Sequence, residues 1–150
     1  MWREVSRVDA QARALADRHY SRQTHGHREF MPPGETFVLV MDGAVWGAVR
    51  NIFAGKKALR CSIFRNESPE LSSRLVSIAT ALTYRRFPGD RLKTEVLIDK
   101  VRPKRHPGYA FRCAGWISVR VARSKVKGGG LMLHMMAPPA NAIDEYGELL

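Results

Sequence analysis

Cysteine is scarce in this chain, with only Cys61 and Cys113 among 150 residues. Two thiols cannot build a disulfide framework, and no Cys-x-x-Cys pair or mixed cysteine and histidine cluster offers zinc-ligand spacing. Both cysteines read as small, buried apolar groups in a reducing compartment. His25 and His27 are separated by one residue, but no carboxylate or thiol pattern completes a metal site, so none is expected. No run of about 20 apolar residues is present, which excludes a spanning helix. The first 15 residues alternate charged and apolar groups without a signal-type core, so a cytoplasmic location without membrane association is expected. Glycine fingerprints are missing as well. Neither a dinucleotide-binding turn nor a GxxxxGK[ST] phosphate loop occurs, and the triple glycine at 128–130 lacks a following helix and reads as a turn.

Acidic residues are the last shortage. Fourteen Asp and Glu oppose 25 Lys and Arg, for a net charge of +11. Residues 85–127 hold 13 basic and three acidic side chains, whereas residues 138–150 carry Asp144, Glu145 and Glu148 and no lysine or arginine. Such a field recruits polyanions without specifying a base sequence. Nucleic acid is the expected partner, although basicity by itself also fits an anionic membrane surface or a ribosomal neighbour.

What is present has the length of one domain. Residues 9–20 have helical spacing through Ala12, Leu15 and Ala16, and a polar loop with Pro32, Pro33 and Gly34 follows. Apolar runs at 36–41 and 45–49 flank Asp42-Gly43, a hairpin signal. A third strand is predicted over 58–64. Ser68 and Pro69 read as the opening of a helix carrying Leu71, Leu75, Ile78, Ala79 and Leu82 on one face and stopping near Pro88-Gly89. A strand over 92–98 and a short helix over 109–114 come next. Gly115 then turns the chain into a strand beginning at Trp116, and a last strand spans 131–135. The order predicts an α/β fold with a largely antiparallel sheet, a central helix and a short helix flanking a cleft. Residues 1–136 form the expected domain and 137–150 a tail of weak helix potential.

The combination of His19-Tyr20-Ser21, Arg65-Asn66-Glu67, the helix with Ser72, Ser73 and Arg74, the run from Glu95 to Asp99, and Gly108, Tyr109, Gly115 and Trp116 resembles the GNAT-type acyltransferase superfamily. More narrowly it is similar to the phage DNA-modification proteins of the Mom family. The resemblance spans nearly the whole domain. It implies a GNAT-like fold and transfer of an acyl or aminoacyl-derived group to the exocyclic amine of adenine in DNA. The sequence departs from acetyl-CoA-using members where they carry a glycine-rich loop before the central helix, because residues 64–74 contain no glycine and place Glu67 and Glu70 there. This weighs against ordinary acetyl-CoA and leaves open an activated donor such as another acyl-CoA or an aminoacyl-tRNA.

Transfer to an amine needs the amine held near an electrophilic carbonyl, a proton acceptor, and stabilisation of the oxyanion and leaving group. Asp99, at the end of a predicted strand, either handles the amine proton or caps the next turn. Tyr109 either donates to the departing atom or packs on Trp116. His19 serves as a base or as a plain helix-end residue; Tyr20 and Ser21 accompany it toward the acceptor. Arg65, Asn66 and Glu67 face the substrate or stabilise a turn. Ser72, Ser73 and Arg74 bind the donor, unless the serines only bond back to carbonyls. Ser73 lacks the partner pattern of a covalent nucleophile, so direct transfer is expected.

Phosphate contacts are assigned to Lys100, Arg102, Lys104, Arg105, Arg120, Arg123, Lys125 and Lys127. An adenine amine inside a duplex must first leave the stack, at a cost of a few kcal/mol. Two alternatives stay open: transfer to a protein or small-molecule amine, and a non-catalytic basic domain that binds nucleic acid on the same scaffold.

Overall fold

The computed structural model describes residues 1–18, 30–53, 55–98, 106–124 and 130–150. Among these residues seven strands form one sheet: β1 (Arg3–Val5), β2 (Glu35–Met41), β3 (Ala44–Phe53), β4 (Lys56–Asn66), β5 (Leu92–Leu97), β6 (Ile117–Arg123) and β7 (Leu131–Met136). Their order across the sheet is β1-β2-β3-β4-β5-β7-β6. Every pair is antiparallel except β4 with β5. Among the described residues three α-helices accompany them: α1 (Ala10–Asp17), α2 (Ser72–Arg86) and α3 (Tyr109–Cys113). No helix among the described residues is long and apolar enough to cross a membrane.

The hairpin at Asp42-Gly43 forms as its sequence requires. Met41 pairs with Ala44, and Gly43 takes φ +85, a conformation natural to glycine. α1 begins where Asp9 accepts a hydrogen bond from the Ala12 amide at 3.0 Å. β1 has no clear sequence signal, being three residues long at the sheet edge. Its position is secured by the neighbouring Trp2, which is buried and donates from Nε1 to the Leu75 carbonyl at 3.1 Å.

Strand alternation divides the core into two layers. α2 lies against the face carrying Phe37, Leu39, Trp46, Cys61, Leu92 and Val96, whereas α1 covers the opposite face at Val38, Val40, Val45, Val49 and Ile63. α2 begins at Ser72 rather than at the Ser68-Pro69 opening expected from sequence. Asn66 is the reason. Its Oδ1 accepts from the Ser68 amide at 2.9 Å and from the Ser68 hydroxyl at 2.6 Å, and its Nδ2 donates to the Glu70 carbonyl at 2.7 Å and to Ser72 Oγ at 2.9 Å. These bonds give residues 66–72 a local alternative to helix. Leu71, expected on the apolar face, is exposed, and the helix buries instead a broad surface from Leu75 to Tyr84.

Two threonines anchor α2 to the sheet. Thr83 donates to the Ala79 carbonyl at 2.7 Å and accepts from Trp46 Nε1 at 3.0 Å. Thr80 donates to Val76 at 2.7 Å and accepts from Trp116 Nε1 at 3.3 Å. All four side chains are buried. Thr83→Val keeps the shape but strands the Trp46 indole N–H, so a loss of about 1–3 kcal/mol is expected in urea unfolding. An unchanged midpoint would show that this bond contributes nothing net.

Residues 137–150, expected as a tail, fold back on the domain. The Ala137 amide donates to Leu92 at 2.9 Å, Tyr84 donates its phenol proton to the Pro138 carbonyl at 2.8 Å, and Ile143 is buried in the α2 layer. A short bridge joins Ile143 to Leu149.

Candidate active site

β4 and β5 are parallel but bonded only over Leu59–Leu92, Arg60–Lys93 and Cys61–Thr94. Beyond those rungs the strands part. The break begins at an irregularity in β4: Gly47 pairs with Ile63 and Ala48 with Cys61, so Ser62 is an extra residue. A bulge takes its extra residue out of the ladder and bends the strand. The gap between the second halves of β4 and β5 opens into a cleft of about 1060 Å³. Its walls are Ser62 and Phe64 on β4, Thr94, Glu95 and Val96 on β5, the first turn of α2 with Ser72 and Ser73, and Tyr109 and Cys113 of α3.

α3 is held by its buried aromatic groups. Phe111 packs 4.8 Å from Trp116 and 6.0 Å from Phe64, ring centroid to centroid, and Trp46 lies 6.4 Å from Phe111. With Phe111 turned inward, Tyr109 and Cys113, four residues apart, share the opposite helix face and border the cleft. Tyr109 is 59% exposed and does not take the packing alternative against Trp116, whose aromatic neighbours among the described residues are Phe111 and Trp46. Interaction with Cys113 raises the Tyr109 phenol above its ordinary range. Gly108 starts the helix at φ +70, with the buried Met135 sulfur where a side chain would be.

The structure brings only some of the predicted residues to this cleft. Asn66, Ser72, Ser73 and Tyr109 line it, with Asn66 committed to the loop bonds described above. Glu67 does not line the cleft; its carboxylate accepts from Arg18 at 2.7 Å and from Arg65 at 2.5 Å, and these two cations lower its pKa to about 2. Arg65 is thereby turned to Glu67. Arg74 borders a neighbouring hollow of about 430 Å³ with Arg112, Gly147 and Glu148, which shares Ser73 and Cys113 with the main cleft. Arg120 and Arg123 are exposed on the edge strand β6. His134, opposite Arg120, and Leu133, opposite Val121, lie on different sheet faces, so Arg120 and Arg123 point to opposite sides. His19, Tyr20, Ser21, Asp99, Lys100, Arg102, Lys104, Arg105, Lys125 and Lys127 lie outside the described residues.

Two features of the site emerge only from the structure. One is the Ser62 bulge, which no residue type marks. The other is Glu95, which lines the cleft and stands across the β5–β7 ladder from His134, with Oε1 3.6 Å from Nδ1. Their alternation along β5 and β7 was readable, but their pairing across 39 residues of sequence required the register.

No protein-family model and no curated protein matches the sequence. Among solved structures, a chain of the NatC complex bound to Gag peptide and CoA superposes with a TM-score of 0.56 at 10% identity, covering 92% of this chain and 97% of that one. The parted β4–β5 pair, the helix that follows β4 and the mixed, largely antiparallel sheet therefore belong to a GNAT-like fold.

Proposed function

We propose that the protein is a GNAT-like N-acyltransferase that draws its acyl group from a coenzyme A thioester and transfers it to the exocyclic amine of adenine in DNA. The observation carrying this reading is the cleft created by the parting of β4 and β5, bordered by a helix N-terminus. In this reading a pantetheine-like chain lies between the parted strands, where the bulged backbone meets the acyl carbonyl, the Ser62 hydroxyl itself being turned to the Gly47 carbonyl at 3.4 Å. The first turn of the 15-residue α2 offers amide donors and a positive dipole end to the donor's phosphates in place of a glycine-rich loop. Tyr109, whose phenol borders the cleft, supplies a proton to the departing thiolate.

The solved neighbour holding CoA supports a thioester donor. An aminoacyl-tRNA donor draws support from the net charge of +11 alone. The adenine acceptor rests on that charge and on the Mom-like combination of motifs, with the cytoplasm as the place where DNA and thioester meet. The neighbour's Gag peptide favours a second reading, in which the amine belongs to a protein.

High-resolution mass spectrometry of nucleosides from plasmid DNA, recovered from bacteria expressing the protein, separates these readings. A heavier deoxyadenosine is expected, its mass increment identifying the group, and Tyr109→Phe should lower its yield about 10²-fold or more. Unmodified nucleosides together with acylated host protein would replace the DNA reading with the protein one.

A further inference from the structure

The sheet face turned away from α2 carries a second set of side chains beside the cleft. Thr94 and Val96 point toward the α2 core, so Lys93 and Glu95 project from the other side of β5. Register extends this face across the sheet. Glu95 stands opposite His134 of β7, and His134 opposite Arg120 of β6, forming one continuous rung. The next rung runs from Arg60 of β4 through Lys93 and Met136 to Ile117. α1, which packs on this same face, contacts β2, β3 and β4. Among the described residues no helix packs over β5, β7 and β6 here: Lys93, Ile117 and Arg120 are exposed, and Glu95 and His134 keep 39% and 23% of their side-chain surface.

Glu95 is therefore the place where this face meets the cleft, since it borders the cleft while its carboxylate turns to His134. The charged groups around the pair are Arg60, Lys93 and Arg120, three cations with no carboxylate other than Glu95 on these two rungs. Three interstrand gaps separate β4 from β6, a span of roughly 14 Å. Met136 and Ile117 supply an apolar floor between the cations.

We infer that this face is the acceptor site, that Arg60, Lys93 and Arg120 bind the phosphates of a single-stranded nucleic acid, and that the Glu95–His134 pair receives the proton of the attacking amine. The assignment deepens the acyltransfer reading and rests on it for the proton step. In that step the amine nitrogen bonds to the thioester carbonyl carbon and the C–S bond breaks with its electrons passing to sulfur. The N–H proton passes to the Glu95 carboxylate, and the thiolate is protonated by Tyr109. His134 acts as a positioning residue that holds the carboxylate, which returns its proton to solvent through its own exposed side. Donor and acceptor thus enter from opposite faces of the sheet and meet where β4 and β5 part.

Fluorescence anisotropy with a labelled oligo-deoxyadenosine, measured over a series of salt concentrations, tests the surface without requiring turnover. Substituting Arg60→Gln, Lys93→Gln and Arg120→Gln together should weaken binding at least about tenfold and make the log–log salt slope shallower by about 2. Unfolding curves check that the variant is folded. An unchanged slope in the folded variant, or equal binding of poly-glutamate by the parent, would overturn the nucleic-acid assignment. Glu95→Gln should bind the oligonucleotide as well as the parent while losing transfer from acyl-CoA by about 10²–10⁴-fold. His134→Gln should shift the pH profile of transfer and leave binding intact. Parental transfer rates in Glu95→Gln would remove the proton role. A parent that binds through the three cations yet transfers nothing under any condition would instead remove the acyltransfer reading and the proton step, leaving the binding face in place.

Discussion

Gly147→Ala is expected to destabilise the protein by about 1–3 kcal/mol more than Gly89→Ala, because only the first substitution drives a side chain into backbone. Both glycines have positive φ, +80 and +95. A side chain there costs roughly 1–2 kcal/mol from conformation alone. At Gly89 nothing lies within 4 Å of the new methyl group. At Gly147 the methyl would fall on the Ser77 carbonyl of α2, which cannot rotate away as a side chain would. The C-terminal segment must then lift from α2. Gly147, Glu148 and Leu149 wall the smaller hollow beside the cleft, so that wall would be displaced as well. Urea unfolding of the two variants, with limited proteolysis near the C-terminus, gives the comparison. Equal losses would mean that the segment is not seated on α2 as described.

Ligand stabilisation is the second large effect. Coenzyme A at 100 times its Kd should stabilise the folded chain by about 2.7 kcal/mol. For a domain of this size that is a rise in melting temperature of about 5–10 °C. Ser73→Trp should abolish the shift while leaving the unliganded protein close to its parental melting temperature. Ser73 is partly exposed, lies in the first turn of α2 and borders both hollows, so the indole occupies the entrance without disturbing the core. A shift retained in this variant would place the ligand elsewhere. No shift in the parent, at concentrations up to millimolar, would remove the thioester donor from the proposed reaction.

The legible parts of the sequence were those governed by local chemistry. Asp42-Gly43 between two apolar runs specified a hairpin, Phe87-Pro88-Gly89 the end of α2, and Gly108 and Gly115 the limits of α3. Each depends on backbone preferences within a few residues. α2 starts later than its sequence predicts because Asn66, two residues before the expected cap Ser68, captures both Ser68 and Ser72. A side chain able to make several such bonds outcompetes a good capping sequence, and nothing in the spacing says which will win.

In the candidate site, Tyr109 and the two serines line the cleft because α3 and α2, both readable as helices next to a strand end, border it. Glu67 illustrates the opposite case. Its position between strand and helix is legible, but its two arginine partners come from β4 and the end of α1, and together they turn it from the cleft.

Composition and periodicity alone therefore determined the basic charge, the order of most elements and the mixed α/β class, because these follow from residue type and from the 2.0 and 3.6 repeats of strand and helix. Tertiary structure alone decided that β4 and β5 pair briefly and then part, that Ser62 is the bulged residue, and that Glu95 meets His134 beside Arg120. Those outcomes depend on register between distant strands. Register is set by how whole faces pack, and a single residue of slip would send every one of these side chains to the other side of the sheet.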